Sequence, residues 1–326
     1  MSELKSQATG IAVWGVGLHA RKTVLPAIAA CNSLKLVGIG TRNAEIRTQQ
    51  AESYQCLAWS SLDDLLECPD VEVVYLATPI GLHYGEGLQV LGAGRHLWCE
   101  KSFTSSLTEA DEIFDVANAG DRSLCVVCSP LYHDQFRKIG DLIRQGSIGE
   151  VQSVTGVFEF PHLSDDNIRY DPEIGGSALL DLGFYPVIVP YELCGGEIIS
   201  VSAKLEYQSG YHIDTSGEAI FTMGSEMELR AYWGYGPDYR NEMIINGELG
   251  SLHVSPAFSK PAGQDLSIDV HVGEQRTRVP VTSENQFANM LQSYSKAMRD
   301  DNERRHQRKW ALHTQNLLDR VKSSAV

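Results

Sequence analysis

The segment Gly15-Val16-Gly17-Leu18-His19-Ala20 follows the apolar run Ile11-Ala12-Val13-Trp14 and leads into a helix-like stretch. A strand, a tight turn and a helix N-terminus in that order suit the pyrophosphate of a dinucleotide. Gly15 permits the turn, Gly17 lets a phosphate approach the backbone, and Ala20 lets the helix pack close to the strand. The first turn, with Leu18, offers unpaired N–H groups and a partial positive charge. At the end of the next strand, Thr41-Arg42 stands where an acidic residue would hold the adenosine ribose hydroxyls. A hydroxyl and a guanidinium suit a 2′-phosphate instead. This predicts NADP(H), with NAD(H) as the other candidate; an Arg simply starting an exposed helix remains the plain alternative.

Three further sets could act on a substrate. Thr78-Pro79, with His83 four residues on, follows a buried strand and so falls at the carboxyl edge of the sheet, where ligands bind. His83 also suits a purely structural place at a helix start. Glu100-Lys101 ends another strand; a lysine beside a nicotinamide can hydrogen-bond a reacting oxygen and stabilise its developing charge. Gly175-Gly176 turns into a helix carrying Asp181 and Tyr185, four apart and so on one face. Tyr185 could give a proton to a carbonyl oxygen, eased by a cation such as Lys101. A buried helix in which the Asp pairs and the Tyr packs fits equally well. Arg169 and Lys260 are candidate partners for a substrate diphosphate, or ordinary loop charges.

These residues need a scaffold. Strand-like segments at 11–15, 36–40, 71–77, 96–99 and 124–128 alternate with helix-like segments at 21–30, 44–54, 84–93 and 108–119, plus a short capped helix at 61–66. Near-continuous apolar strands alternating with amphipathic helices predict a doubly wound parallel sheet. After a helix at 136–145, β-rich segments dominate at 151–160, 199–207, 218–223, 227–232, 242–246 and 251–254. One helix interrupts them at 176–193, and two close the chain at 285–298 and 305–321. This predicts an α/β chain: a Rossmann domain at 1–129, then an α+β domain at 130–326 on an open, mostly antiparallel sheet.

The chain has 326 residues, enough for two domains, and 27 Lys and Arg against 42 Asp and Glu, for a formal charge of −15. That balance argues against nucleic acid or an anionic membrane as partner. No apolar run approaches the roughly 20 residues that span a bilayer. Met1–Gln7 has no apolar core of a signal peptide, which with the scattered cysteines predicts a reducing cytoplasm. The seven cysteines include Cys125-x-x-Cys128 within an apolar run. With no second pair to complete a zinc site, they read as a strand, and no metal is expected.

Taken together, Gly15-x-Gly17-x-x-Ala20, Thr78-Pro79 with His83, Glu100-Lys101 and the Gly-Gly helix with Asp181 and Tyr185 resemble the Gfo/Idh/MocA oxidoreductases over essentially the whole chain. The resemblance implies a Rossmann domain, a C-terminal sheet that serves as a dimer or tetramer face, Lys101 as the central catalytic lysine, and Asp181 and Tyr185 in the second-domain site. Ser102 stands where many members have proline after the lysine. Tyr185 and Ile188 stand where inositol-type members carry His and Asp, so the resemblance is to the branch with glucose–fructose oxidoreductase, dihydrodiol dehydrogenases and nucleotide-sugar 3-ketoreductases. The stretches 160–172 and 246–261 are similar to the last of these. The expectation is an NADPH-dependent reductase of a nucleotide-linked keto-sugar. The alternatives are a dehydrogenase of free sugars or trans-dihydrodiols and, in another class, a non-catalytic dinucleotide-binding regulator.

Overall fold

A computed structural model describes residues 8–326, so the segment Met1–Gln7 lies outside the described residues. The chain forms two compact units. One takes in the residues up to Val127 and Phe287–Gln315, the other Cys128–Gln286 and Asn316–Val326.

The first unit is built on a six-stranded parallel sheet of order β3-β2-β1-β4-β5-β6. The strands are β1 (Thr9–Trp14), β2 (Leu34–Gly40), β3 (Leu57–Trp59), β4 (Val73–Leu76), β5 (His96–Cys99) and β6 (Leu124–Val126). Every residue of β1 and β4 is buried, as a sheet covered on both faces requires. The covering helices are α1 (Leu25–Ala29), α2 (Ala44–Tyr54), α3 (Leu62–Glu67), α4 (Ile80–Gly92) and α5 (Leu107–Ala119). Side chains at Asn43, Ser61 and Ser106 cap α2, α3 and α5 by accepting from the third amide beyond each. The helix after β1 starts earlier than the sequence pattern predicts, with a π turn over Ala20–Val24 leading into α1. Pro26 has no N–H to give to Lys22, and the Leu25 amide reaches back five residues to the Ala20 carbonyl.

The helix α8 (Gln286–Ala297) and the first part of α9 (Asp301–Ser324) complete this unit. The Tyr294 hydroxyl donates to the Val126 carbonyl at 2.5 Å, and its ring meets Trp98 edge-on at 5.8 Å. Arg308 Nη2 reaches Asp111 and Asp115 on α5 at 2.8 and 2.7 Å.

The second unit holds an eight-stranded sheet of order β14-β13-β12-β11-β7-β10-β9-β8. These are β7 (Val151–Pro161), β8 (Ile198–Glu206), β9 (Ser216–Met223), β10 (Glu228–Gly236), β11 (Arg240–Gly247), β12 (Gly250–Val254), β13 (Leu266–Val272) and β14 (Gln275–Val281). Neighbours are antiparallel except β7 and β10, which run parallel in register, with Phe160 beside Tyr235. The sequence pattern missed the β13–β14 hairpin and the short edge strand β3. The helices of this unit are α6 (Asp134–Arg144) and α7 (Phe184–Cys194), the latter entered through a second π turn, Leu179–Gly183. Two glycines bring that helix onto the sheet. A Cβ on Gly183 would lie 2.8 Å from the Trp233 indole, and one on Gly156 would lie 3.0 Å from Pro186. Among the described residues, no helix is long and apolar enough to cross a membrane.

Candidate active site

In the first unit, the carboxyl ends of β1, β2, β4 and β5 gather the expected cofactor residues. Gly15 has φ +95° and donates to the Gly40 carbonyl at 2.9 Å, which places the glycine turn beside Thr41 and Arg42. A Cβ on Gly15 would fall 2.5 Å from the Ala77 carbonyl carbon, so the protein itself demands glycine there. At Gly17 a Cβ would meet nothing within 4 Å. No packing demands that glycine; its openness suits a ligand that approaches the backbone. The first intrahelical donor is Arg21, to the Gly17 carbonyl at 3.1 Å. The amides of Leu18, His19 and Ala20 therefore have no partner within the helix, and Leu18 is exposed while Ala20 is buried. These features fit a dinucleotide pyrophosphate.

Arg42 is exposed, whereas the Arg47 guanidinium donates to the Thr41 carbonyl at 2.7 Å. Arg47 is thus a second cation at this turn that the sequence pattern did not single out.

The loops after β4 and β5 are tied together by side chains. Thr78 donates its hydroxyl to Glu86 at 2.6 Å, and Glu86 also accepts from the Trp14 indole at 3.0 Å. Pro79 caps α4. His83 is fully buried; its Nε2 faces the Thr78 carbonyl at 2.8 Å, and its Nδ1 faces the Ser102 and Phe103 carbonyls at 3.0 and 3.1 Å. Burial pulls the His83 imidazole below its ordinary range, against the pull of those carbonyls. Its ring therefore clasps the backbone on either side of the site. The Lys101–Ser102 peptide is cis although Ser102 is not a proline.

Glu100 is buried. Its Oε1 accepts from the Tyr75 hydroxyl at 2.6 Å and faces His19 Nε2 at 3.2 Å, and its Oε2 accepts from the Lys101 amide at 3.3 Å. Burial alone would raise the Glu100 carboxyl; His19, Tyr75 and Lys101 outweigh it and hold the carboxyl low. His19, which packs on Phe287 at 5.4 Å, links the glycine turn to the Glu100-Lys101 loop. Neither His19 nor Tyr75 was expected at the site. The signal for His19 was its place inside the glycine motif.

In the second unit, Asp214 anchors the helix that carries Asp181 and Tyr185. The Asp214 carboxylate accepts from the Leu179 amide at 2.6 Å, and its carbonyl accepts from the Ala178 amide at 2.9 Å. Ser177 caps the Leu180 amide at 3.2 Å. Asp181 Oδ2 accepts from Arg169 Nε at 2.8 Å and from the Tyr235 hydroxyl at 2.9 Å. The Asp181 charge raises the Arg169 guanidinium, and burial beside it pushes the Tyr235 phenol up. Tyr170 extends this cluster, 5.1 Å from Tyr235 and 4.6 Å from Tyr211. The Arg169 side chain is 43% exposed and bonds Asp181 through Nε.

Tyr185 lies half-buried in an aromatic bed: edge-on to Phe158 at 5.3 Å and Phe184 at 5.5 Å, and stacked with Phe258 at 6.3 Å. Lys260 is not an exposed loop cation. It is buried, and its Nζ donates to the Ala257 carbonyl at 2.7 Å, the Phe258 carbonyl at 3.3 Å and Gln286 Oε1 at 3.4 Å. Burial pulls its ammonium down to about 7. Cys125 and Cys128 are both buried; burial raises the Cys125 thiol well above its ordinary range.

A parallel sheet of this order, an open glycine cradle at its first turn and a lysine loop at its carboxyl edge define a nicotinamide-dependent oxidoreductase. Residues 9–127 match the model of an oxidoreductase family with an NAD-binding Rossmann fold, and residues 136–253 match a GFO/IDH/MocA C-terminal domain. The chain belongs to the GFO/IDH/MocA oxidoreductase family. It is 31% identical over 260 residues to a dTDP-3,4-didehydro-2,6-dideoxy-alpha-D-glucose 3-reductase of Streptomyces violaceoruber, covering 79% of this chain and 75% of that one. It is 27% identical over 314 residues to the protein of the same name from Streptomyces antibioticus, covering 96% of each. Among solved structures it is similar to KijD10, a 3-ketoreductase from Actinomadura kijaniata in complex with NADP and TDP-benzene. The TM-score there is 0.94, with 25% identity and 98% of each chain covered.

Proposed function

We propose that this chain is an NADPH-dependent 3-ketoreductase of a dTDP-linked deoxysugar. The observation that carries the reading is the match along nearly the whole chain to relatives of that one activity. When bound, NADPH supplies the hydride that reduces the carbonyl carbon. Gly15, Gly17, Leu18 and Ala20 receive the pyrophosphate, and Thr41 and Arg42 receive the 2′-phosphate. Thr78 and Pro79 line the nicotinamide side, and His83 and Glu100 hold the shape of their loops. Lys101 hydrogen-bonds the carbonyl oxygen and polarises it. The Tyr185 hydroxyl gives that oxygen its proton, so the ketone becomes a secondary alcohol. Asp181 fixes Arg169, whose outer nitrogens meet the sugar-nucleotide diphosphate. On this reading 1–129 is the dinucleotide domain and 130–326 binds substrate, with the open sheet as the face of a homodimer or homotetramer in the cytoplasm.

The test is thermal stability with saturating NADPH and TDP, UDP, GDP or CDP added in turn. A ligand of the folded state at about a hundredfold over its Kd adds about 2.7 kcal/mol. A rise with TDP above the other three is expected. No rise with any diphosphate would favour a free sugar or diol as substrate.

A further inference from the structure

The loop 257–260 lies under the Tyr185 ring, and two buried polar side chains hold it. Asn241, at the start of β11, is 4% exposed. Its Oδ1 accepts from the Ala257 and Phe258 amides at 2.9 and 2.7 Å, and its Nδ2 donates to the Ser259 carbonyl at 2.8 Å and the Tyr239 hydroxyl at 2.9 Å. Lys260 closes the same loop from within, through the Ala257 and Phe258 carbonyls and Gln286. Both residues are buried and their polar atoms are taken up by the loop and its neighbours, so neither is placed to meet substrate. Between them they fix both backbone groups of Phe258, which is itself fully buried. Phe258 stacks on Tyr185 with 25° between the rings and packs on Phe158 at 5.6 Å.

We propose that Asn241 and Lys260 are positioning residues for the reaction: they template the 257–260 loop so that Phe258 fixes the direction in which the Tyr185 hydroxyl points. This rests on the reading that Tyr185 gives the proton. Loss of the template frees the ring to tilt, and a misplacement of about 1 Å at a reacting group can lower turnover by about a hundredfold.

A double-mutant cycle separates the two ideas. Asn241→Ala and Phe258→Leu are each made in the parent and in Tyr185→Phe. Turnover is read as NADPH loss with dTDP-3,4-didehydro-2,6-dideoxy-glucose. In the parent, each variant is expected to lower kcat by about tenfold or more while the KM for NADPH stays within about twofold. In the Tyr185→Phe background neither should lower kcat further by more than about twofold. Equal losses in both backgrounds, or none in the parent, would overturn the positioning role alone. A Tyr185→Phe enzyme as fast as the parent would overturn the proton-donor reading instead, and the positioning role with it. If Asn241→Ala does not fold, Phe258→Leu, which keeps an apolar side chain in place, carries the comparison.

Discussion

The two glycines of the first turn should part company when each is changed to alanine. At Gly15 the φ of +95° disfavours any side chain, and the new Cβ would sit 2.5 Å from the Ala77 carbonyl carbon and 2.7 Å from the Thr78 nitrogen. The left-handed strain is worth about 1–2 kcal/mol, and forcing backbone apart in a packed turn adds about 1–3 kcal/mol. Gly15→Ala should therefore lose about 2–5 kcal/mol, several degrees of Tm or more for a unit of this size. At Gly17 the new Cβ meets nothing within 4 Å, so Gly17→Ala should leave the stability of the cofactor-free protein within about 1 kcal/mol. Its effect should appear only with ligand. A methyl where a phosphate approaches the backbone should raise the Kd for NADPH by about tenfold or more, which is about 1.4 kcal/mol. The assay pairs urea unfolding without cofactor with titration of NADPH fluorescence. A Gly17→Ala protein of parental stability that binds NADPH as tightly as the parent would refute a pyrophosphate over this turn.

Arg42→Ala should weaken NADPH by about 1.5–3 kcal/mol, the worth of a hydrogen bond to a charged group, and leave the Kd for NADH within about twofold. Equal weakening of both cofactors would remove Arg42 from the 2′-phosphate. Lys101→Met should lower kcat by about a hundredfold or more with NADPH affinity retained, and normal turnover in that variant would sink the assignment of the lysine. His96 and His133 are both pulled down from 6.5 to about 4, first by burial and then by nearby Arg122 and Lys260 respectively. Between those values the unfolded chain binds more protons at these two histidines than the folded one, so their contribution to stability should fall as pH drops from about 6.5 to about 4 and level off below. Urea unfolding across that range measures it. His133→Asn, which keeps a cap for α6, should flatten the slope.

Much of the first unit was legible because its signals are local. A strand ending in Gly-x-Gly fixes a turn whatever surrounds it, and Ser61 and Asn43 cap the helices after them in their own sequence. What escaped depends on partners distant in sequence. The β13–β14 hairpin lies at a sheet edge with mostly exposed residues along β14, so it shows little apolar patterning. The parallel pairing of β7 with β10 is a tertiary choice that neither strand announces. Lys260 looked like a loop charge because its acceptors, including Gln286, are recognisable only once the loop is folded. Tyr235, 54 residues from Asp181, joins the Arg169 pair through the sheet alone. His83 was read at the site from its spacing after Thr78-Pro79, but no local signal told that both its ring nitrogens face backbone carbonyls.

The most direct measurement is the fate of a deuteride. The protein is mixed with NADPH deuterated on the transferring face of the nicotinamide and with dTDP-3,4-didehydro-2,6-dideoxy-glucose, and the sugar is read by NMR. Deuterium on carbon 3 of the product, with one NADPH consumed per sugar, is the expected result. A protein that binds NADPH and TDP yet leaves the keto-sugar free of deuterium would contradict the assignment as a sugar 3-ketoreductase.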